Sequence, residues 1–335
     1  MRAAVLHGHD LRQLSIDEVP EPEPGPGEVA IAVEAVGVNQ LDLNVIAGVG
    51  PGARAALPRI LGIDPAGTIT AVGEGVDATR RGERVVVKPN IPCGHCRFCL
   101  NDLQEDCSDQ KVVGVHRDGG AAEIVVVPAA SAFATHDLPA AQAVSVVHSA
   151  AIVLNAAEAA GLTGNDRVLV MGAGGTLGRA ATVIALHRGA QVVAASRRPV
   201  IPVGDEQIIT APDTAALEAE LSRLGEDFDV LLDVTGNAPT LGVGIAALGW
   251  GGRAAFCSAS VNPELRIDTR DFYLRRKSLR GVASAGYRHV REALALASAG
   301  VIPDLVGPRY PLDDIVNAFA AFPMKKGGKV VVDIV

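Results

Sequence analysis

"VLVMGAGGTLGRAA", residues 168–181, decides how the second half of this chain is read. An apolar run ends in glycines at 172, 174, 175 and 178, with Thr176 and Leu177 among them, and then opens into a helix-forming segment. A glycine-rich turn between strand and helix lets the backbone bend tightly. It also lets a pyrophosphate approach closely, where the helix N-terminus meets its charge. Glycine spacing alone is weak; its place inside a strand–helix–strand unit is the confirming context. Gly172, Gly174, Gly175, Thr176, Leu177 and Gly178 are therefore candidate contacts to a dinucleotide. The interval from Gly174 to Gly178 is one residue longer than the strict G-x-G-x-x-G pattern. A glycine-rich turn without a ligand is the plainer alternative.

The strand after the helix, "QVVAAS" (191–196), ends in Ser196 and is followed by Arg197 and Arg198. A carboxylate there would accept from a ribose 2′-hydroxyl and repel a 2′-phosphate. A hydroxyl and two guanidiniums would instead hold a 2′-phosphate by charge-assisted hydrogen bonds. The cofactor expected is NADP(H); the alternative is that both arginines belong to a solvated loop. Only residues 197–205 separate this strand from "EQIIT" (206–210), so the usual crossover helix is too short or absent. A helix (214–225), the strand "FDVLLDVTG" (228–236), a helix near 238–248 and the strand "GRAAFCSA" (252–259) follow. Strands alternating with helices imply a parallel sheet covered on both faces. Thr235 and Gly236 fall at the carboxyl edge, where such sheets bind ligands. They are expected to touch the cofactor's ribose, or else to form an ordinary strand-to-helix cap.

The first part of the chain has a different grammar. "GEVAIAVEAVGV", "AGTITAVGEGV", "GERVVVKP" and "AAEIVVVPA" are short Val/Ile runs broken by Gly and Pro, which read as β-strands. "PEPEPGPGE" (20–28) is a helix-hostile connector, and "KKGGKVVVDIV" (325–335) a final strand expected to return to the first domain.

Between these regions lies "CGHCRFCLNDLQEDC" (93–107), holding four of the five cysteines. Cys93, Cys96, Cys99 and Cys107 are separated by two, two and seven residues. Four thiolates close a tetrahedral zinc shell and leave no position for water or substrate, so the expectation is one structural Zn2+. A chain of 335 residues buries large cores and does not need cysteines to rescue its fold. Unmetallated thiols are the alternative. His95 reads as a loop residue rather than a fifth ligand, and Cys257 as a buried strand residue.

Composition narrows the partners. The net charge is −8 and no Lys/Arg run exceeds three, which argues against nucleic acid. The stretch 139–157 has no Asp, Glu, Lys or Arg, but it is mostly Ala and Val, with Gln142, His148 and Asn155, and reads as a buried helix rather than a membrane span. The start lacks a long apolar signal segment, and a cytoplasmic location is expected.

Taken together, these motifs resemble the medium-chain dehydrogenase/reductase superfamily. "ILGIDPAGTITAVGEGV", "RRGERVVV", "CGHCRFC", "GGAAEIVVVPA", the glycine loop and "GGKVVVDI" follow in the expected order over nearly the whole length. The resemblance implies an α/β protein with a GroES-like β-barrel catalytic domain over 1–140 and 286–335, carrying the zinc lobe at 91–110. It further implies a Rossmann domain, a doubly wound parallel sheet binding NADP(H), over 141–285. It suggests a homodimer joined through the Rossmann sheets near 252–259.

Zinc alcohol dehydrogenases of that superfamily also carry a catalytic zinc. Its ligands are a Cys after the first β segment, the His of a Gly-His-Glu motif and a third group before the glycine loop. Here Asn39 stands at the first place, Ile63 and Asp64 at the second, and His148 near the third, while Leu41 replaces a relay hydroxyl and Asn44 a His. An amide and an aliphatic chain do not supply the donors catalytic zinc prefers. "GVNQLD" and "GIDPAG" resemble the zinc-free quinone oxidoreductase and enoyl reductase branch, which usually lacks the cysteine lobe. The chain reads as a hybrid, with structural zinc kept and catalytic zinc gone.

Hydride transfer without metal requires an electrophilic acceptor, with the protein supplying orientation and electrostatics. The expected activity is NADPH-dependent reduction of an activated C=C bond or a quinone in a small-molecule substrate. The alternatives are a metal-free carbonyl reductase or alcohol dehydrogenase, and a non-catalytic NADPH-binding protein. Asn39 is a candidate to orient the nicotinamide ribose or donate to a substrate oxygen, or simply to cap a turn. Asp64 is a candidate partner of Asn39 or of a proton carrier. His148, in an apolar helical stretch beside the expected nicotinamide pocket, is a candidate proton donor or a satisfied core histidine. Asp42 reads as structural, and Tyr287 and Arg288 have no assigned role.

Overall fold

The computed structural model of the chain describes residues 1–225, 227–259, 261–324 and 327–334. Two compact units form. The first comprises Met1–His148, Gly286–Ser298 and Asp304–Val335; the second comprises Ser149–Ala285 and Ala299–Pro303. Residues 141–148, placed with the second unit in the sequence reading, fold with the first.

The hub of the first unit is β1 (Glu28–Gly37), whose Val, Ala and Ile side chains are mostly buried. At its end, helix α1 (Gln40–Ala47) begins after Asn39 and stops at Gly48, which takes the left-handed conformation with φ 64°. β1 pairs antiparallel with β2 (Asp64–Val72), and β2 with β3 (Arg84–Val87). The other side of β1 is shared by β4 (Ile124–Pro128) near its start and a returning C-terminal strand near its end. β5 (Ala132–Ala134) extends the sheet beyond β3. The core is aliphatic, with Val29, Ile31, Leu61, Ile69, Val85 and Val127 among its fully buried members. Each contributes about 1.5–3 kcal/mol by leaving water.

The charge-free stretch forms α2 (Ala140–Val146) in the first unit and α3 (Ser149–Ala159) in the second. Its most apolar window is 78% buried inside the protein, which accounts for its composition.

The second unit is built on a six-stranded sheet in which every pair is parallel. In chain order its elements are β6 (Arg167–Met171), α4 (Thr176–His187), β7 (Gln191–Ser196), β8 (Gln207–Thr210), α5 (Thr214–Leu224), β9 (Phe228–Asp233), α6 (Ala238–Ala246), β10 (Leu248–Phe256), α7 (Thr269–Leu274) and β11 (Ser278–Gly281). The spatial order is β8-β7-β6-β9-β10-β11. β7 passes to β8 with no helix between them, as the short 197–205 segment requires. Among the described strands the open edges are β8 and β11, so the 252–259 strand lies one strand inside the sheet, next to the edge strand β11. Cys257 stands just past β10 and is half-buried, not inside the strand.

Helix α8 (Tyr287–Ser298) and strands β12 (Val306–Pro311) and β13 (Lys329–Asp333) return to the first unit. β13 closes on β1 with Val331 opposite Gly37, and β12 pairs parallel beyond it.

Candidate functional site

The glycine loop ends β6 and opens α4, as its spacing predicts. Gly172 and Ala173 N–H both donate to Ala195 O at 3.0 Å, tying the turn to the end of β7. Gly178 is required by close approach: a Cβ there would stand 2.1 Å from Gly172 O. A Cβ on Gly174 would lie 2.9 Å from Ser196 Oγ, so the loop and the end of β7 are adjacent. Arg197 and Arg198 are exposed beside them, and among the described residues neither guanidinium is in an ion pair. Thr235 Cγ2 would be 3.3 Å from a Cβ on Gly172, which puts "DVTGN" on the same edge. Thr235 N–H donates to buried Asp233 Oδ1 at 2.6 Å, and Thr235 Oγ1 accepts from Asn237 N–H at 3.2 Å. Gly236 O accepts from Val261 and Asn262 N–H. The loop, Ser196 and Thr235 thus form one carboxyl-edge platform, and the N–H groups of the first turn of α4 suit a pyrophosphate.

In the first unit the four cysteine sulfurs all lie within 4.8 Å of one another. Cys93 Sγ is 3.9 Å and Cys96 Sγ 3.5 Å from Cys99 Sγ. Zn–S bonds of about 2.3 Å in a tetrahedron give S···S edges of about 3.8 Å, so the donor set fits zinc. Cys93 N–H donates to Cys107 Sγ and Cys96 N–H to Cys93 Sγ, as expected of sulfurs that carry negative charge. The backbone at Cys99, followed by further hydrogen bonds, lowers the Cys96 thiol to about 6. Bound there, zinc would close the lobe and leave no reactive position. Tyr287 and Arg288, unassigned from sequence, support this lobe and its neighbours. Arg288 pairs with buried Glu105 at 2.5 Å and donates to Asp102 O at 3.0 Å, and the Tyr287 ring meets Phe133 edge-on at 5.3 Å.

The residues expected at the catalytic-zinc position do converge, but on one another. Asn39, 7% exposed, donates through Nδ2 to Gly37 O at 3.0 Å and to Asp64 Oδ2 at 2.7 Å. Its N–H donates to Asp42 Oδ2 at 2.9 Å, and Asp42 Oδ1 accepts from Gly62 N–H at 3.2 Å. Burial pushes the Asp42 carboxyl up to about 7 despite those two bonds. The group that sequence reasoning missed is Lys329, the first residue of β13. Its buried ammonium donates to Asn39 Oδ1 at 2.5 Å and Asp64 Oδ2 at 3.0 Å. The β1–β13 register explains the meeting: Val331 lies opposite Gly37, and Val38 N–H donates to Val330 O, so Lys329 falls beside Asn39. The stem crosses Gly37, where a Cβ would strike Lys329 Cε at 2.5 Å. The "GGKVVVDI" motif carried the signal, but only strand pairing gives the lysine its partners.

His148 Nδ1 stands 3.9 Å from Asp64 Oδ1, with about a fifth of its side chain (21%) exposed. Burial pushes its pKa below 6.5; Asp64 opposes that shift, while Lys329 and Lys88 add to it. The shift favours the neutral imidazole.

A catalytic zinc does not fit these residues. Both Asn39 Nδ2 hydrogens and its oxygen are engaged, Ile63 is a buried hydrocarbon, and Asp64 Oδ2 already serves two donors. Of these residues Asp64 Oδ1 and one nitrogen of His148 remain as possible ligands, beside a fixed ammonium that repels a second cation. For the same reason Asn39 has no hydrogen left for a substrate or ribose; its observed work is to open α1 and link Asp64 to Lys329.

The family model of the alcohol dehydrogenase GroES-like domain matches residues 25–138, and that of zinc-binding dehydrogenases matches 176–299. The D-altritol 5-dehydrogenase of Agrobacterium fabrum is 32% identical over 303 residues, 87% of each chain. A thermostable alcohol dehydrogenase from Pyrobaculum aerophilum superposes with a TM-score of 0.91 at 32% identity, covering 100% of this chain and 99% of that one. A short chain alcohol dehydrogenase of Escherichia coli CFT073, complexed with NADH, superposes at 0.88 with 26% identity, covering 100% and 99%.

Proposed function

The chain belongs to the medium-chain dehydrogenase/reductase superfamily, as a two-domain oxidoreductase with a nicotinamide cofactor and a four-cysteine zinc site, and from that premise we propose that it reduces an activated C=C bond or a quinone with NADPH and no catalytic metal. The observation that carries the reading is the closed Lys329–Asp64–Asn39 cluster where metal ligands would be needed. Held by the glycine loop, Ser196, Arg197 and Arg198, NADPH would supply a hydride, two electrons with one hydrogen, to the electrophilic carbon or quinone oxygen. The resulting enolate or oxyanion needs one proton, and His148 is the titratable group this site offers for it. Conjugated acceptors stabilise the developing charge themselves and so need less Lewis-acid help than simple ketones. A panel of 2-cyclohexenone, 9,10-phenanthrenequinone, cyclohexanone and cyclohexanol tests this. Turnover confined to the simple ketone and alcohol would sink it.

A second reading, interconversion of a secondary alcohol and a ketone, is favoured by the neutral His148 beside Asp64, a pair able to accept a hydroxyl proton, and by the relative named as a D-altritol 5-dehydrogenase. The same panel separates the two.

The cofactor preference rests on Ser196, Arg197 and Arg198, which stand at the end of β7 in place of a carboxylate. The kcat/KM for NADPH is expected to exceed that for NADH. Replacing both arginines with alanine should cost more than about 100-fold with NADPH and little with NADH, at about 1.5–3 kcal/mol for each of the two charge-assisted contacts. A parent enzyme preferring NADH would refute the assignment. The reading also includes a cytoplasmic location and a second copy of this chain as partner, for which β11 presents an unpaired sheet edge.

A further inference from the structure

Asp64 is wholly inaccessible, and its two oxygens have different surroundings. Oδ2 accepts from Asn39 Nδ2 and from the Lys329 ammonium. Oδ1 is buried with no hydrogen-bond partner among the described residues, and it faces His148 Nδ1 across 3.9 Å. A buried carboxylate with one bare oxygen is costly unless something holds it in place and balances its charge. Lys329 does both. Its stem is packed over Gly37, so the ammonium has little freedom, and it bonds Asn39 Oδ1 as well as Asp64. Asn39 is itself anchored to Gly37 O, so three groups from β13, the start of α1 and β2 fix one another.

We propose that Lys329 is the positioning residue of this site: where metal ligands are missing, its ammonium pins Asp64 and Asn39 so that the free carboxylate oxygen faces His148. The inference rests on the metal-free reading above. It extends it by naming a fixed cation that, added to burial, helps set how His148 holds its proton. The charged groups acting on His148 are Asp64 on β2, Lys329 on β13 and Lys88 after β3. Lys329 opposes protonation of the imidazole directly, and it also draws Asp64 away from it.

The test uses the full zinc-loaded chain with histidine isotope labels and no substrate, the His148 signal being identified by its absence in His148→Gln. Nuclear magnetic resonance then follows His148 through a pH titration in the parent, in Lys329→Met and in Lys329→Gln. The Gln variant keeps a donor toward Asn39 and Asp64 while removing the charge, and so tests the charge if the Met variant fails to fold. The midpoint is expected to rise by about one pH unit or more in either variant, the usual scale for a charge at this range. An unshifted midpoint in a variant with the parent Tm would overturn the proposal, because a lysine that merely fills space would not move it. Parent turnover of 9,10-phenanthrenequinone with NADPH is measured separately. Its absence would count against the functional reading, whereas the histidine midpoint alone decides the role of Lys329.

Discussion

Replacing His148 with alanine is expected to lower kcat for NADPH-dependent reduction by about 100-fold or more, while the Kd for NADPH stays within about two-fold of the parent. Among the described residues His148 is the imidazole that the charged cluster reaches: Asp64 Oδ1 lies 3.9 Å from its Nδ1, and part of the side chain stays open. The pH profile gives a second readout. Burial above all, with Lys329 and Lys88 adding to it, holds the imidazole below 6.5. A reduction that takes its proton from the imidazolium therefore slows as pH rises through that lowered value. The reverse oxidation, which needs the neutral ring, quickens over the same interval. In His148→Gln that limb of the profile should vanish. Unchanged turnover in the alanine variant would remove His148 from the chemistry and leave it a core residue.

Cys93→Ser is expected to have the largest effect on stability and almost none on the chemistry. Four sulfurs within 4.8 Å of one another, with backbone N–H groups directed at two of them, form a site whose metal contributes folding free energy. Losing one ligand should empty the lobe of zinc and cost more than about 4 kcal/mol, in the range reserved for lost metals and disulfides. The damage should spread to α8 through Arg288, which grips the lobe at Glu105 and at Asp102 O. Activity per folded molecule should remain near the parent's. A stable Cys93→Ser protein with abolished turnover would show that the lobe takes part in catalysis.

What could be read in advance follows from how local each signal is. The glycine loop, the strand–helix alternation and the four cysteines are written in contiguous segments, and the residues do what their spacing implies. Even the missing helix between β7 and β8 was visible in the length of 197–205. The interior of the site was legible only in part. Asn39, Asp64 and His148 were singled out by position, but their actual partner is Lys329, which is 290 residues from Asn39 along the chain. Its burial follows from the register of β13 on β1 and the bare Cα of Gly37, neither of which a single sequence displays. The role expected of Asn39 changed for the same reason: an amide whose donors and acceptor are all engaged cannot also serve a substrate. Which strand forms the edge of the sheet next to 252–259 was likewise not legible, because strand order is a property of the sheet rather than of any one segment.

The central claim is that one zinc holds a lobe and no metal takes part in the reaction. Metal content measured beside NADPH-dependent turnover, on the same preparation, tests it most directly. The account predicts one tightly bound zinc per chain at full turnover, with added zinc or cobalt leaving the rate unchanged. A second tightly bound metal per chain, with turnover rising in proportion to its occupancy, would contradict it.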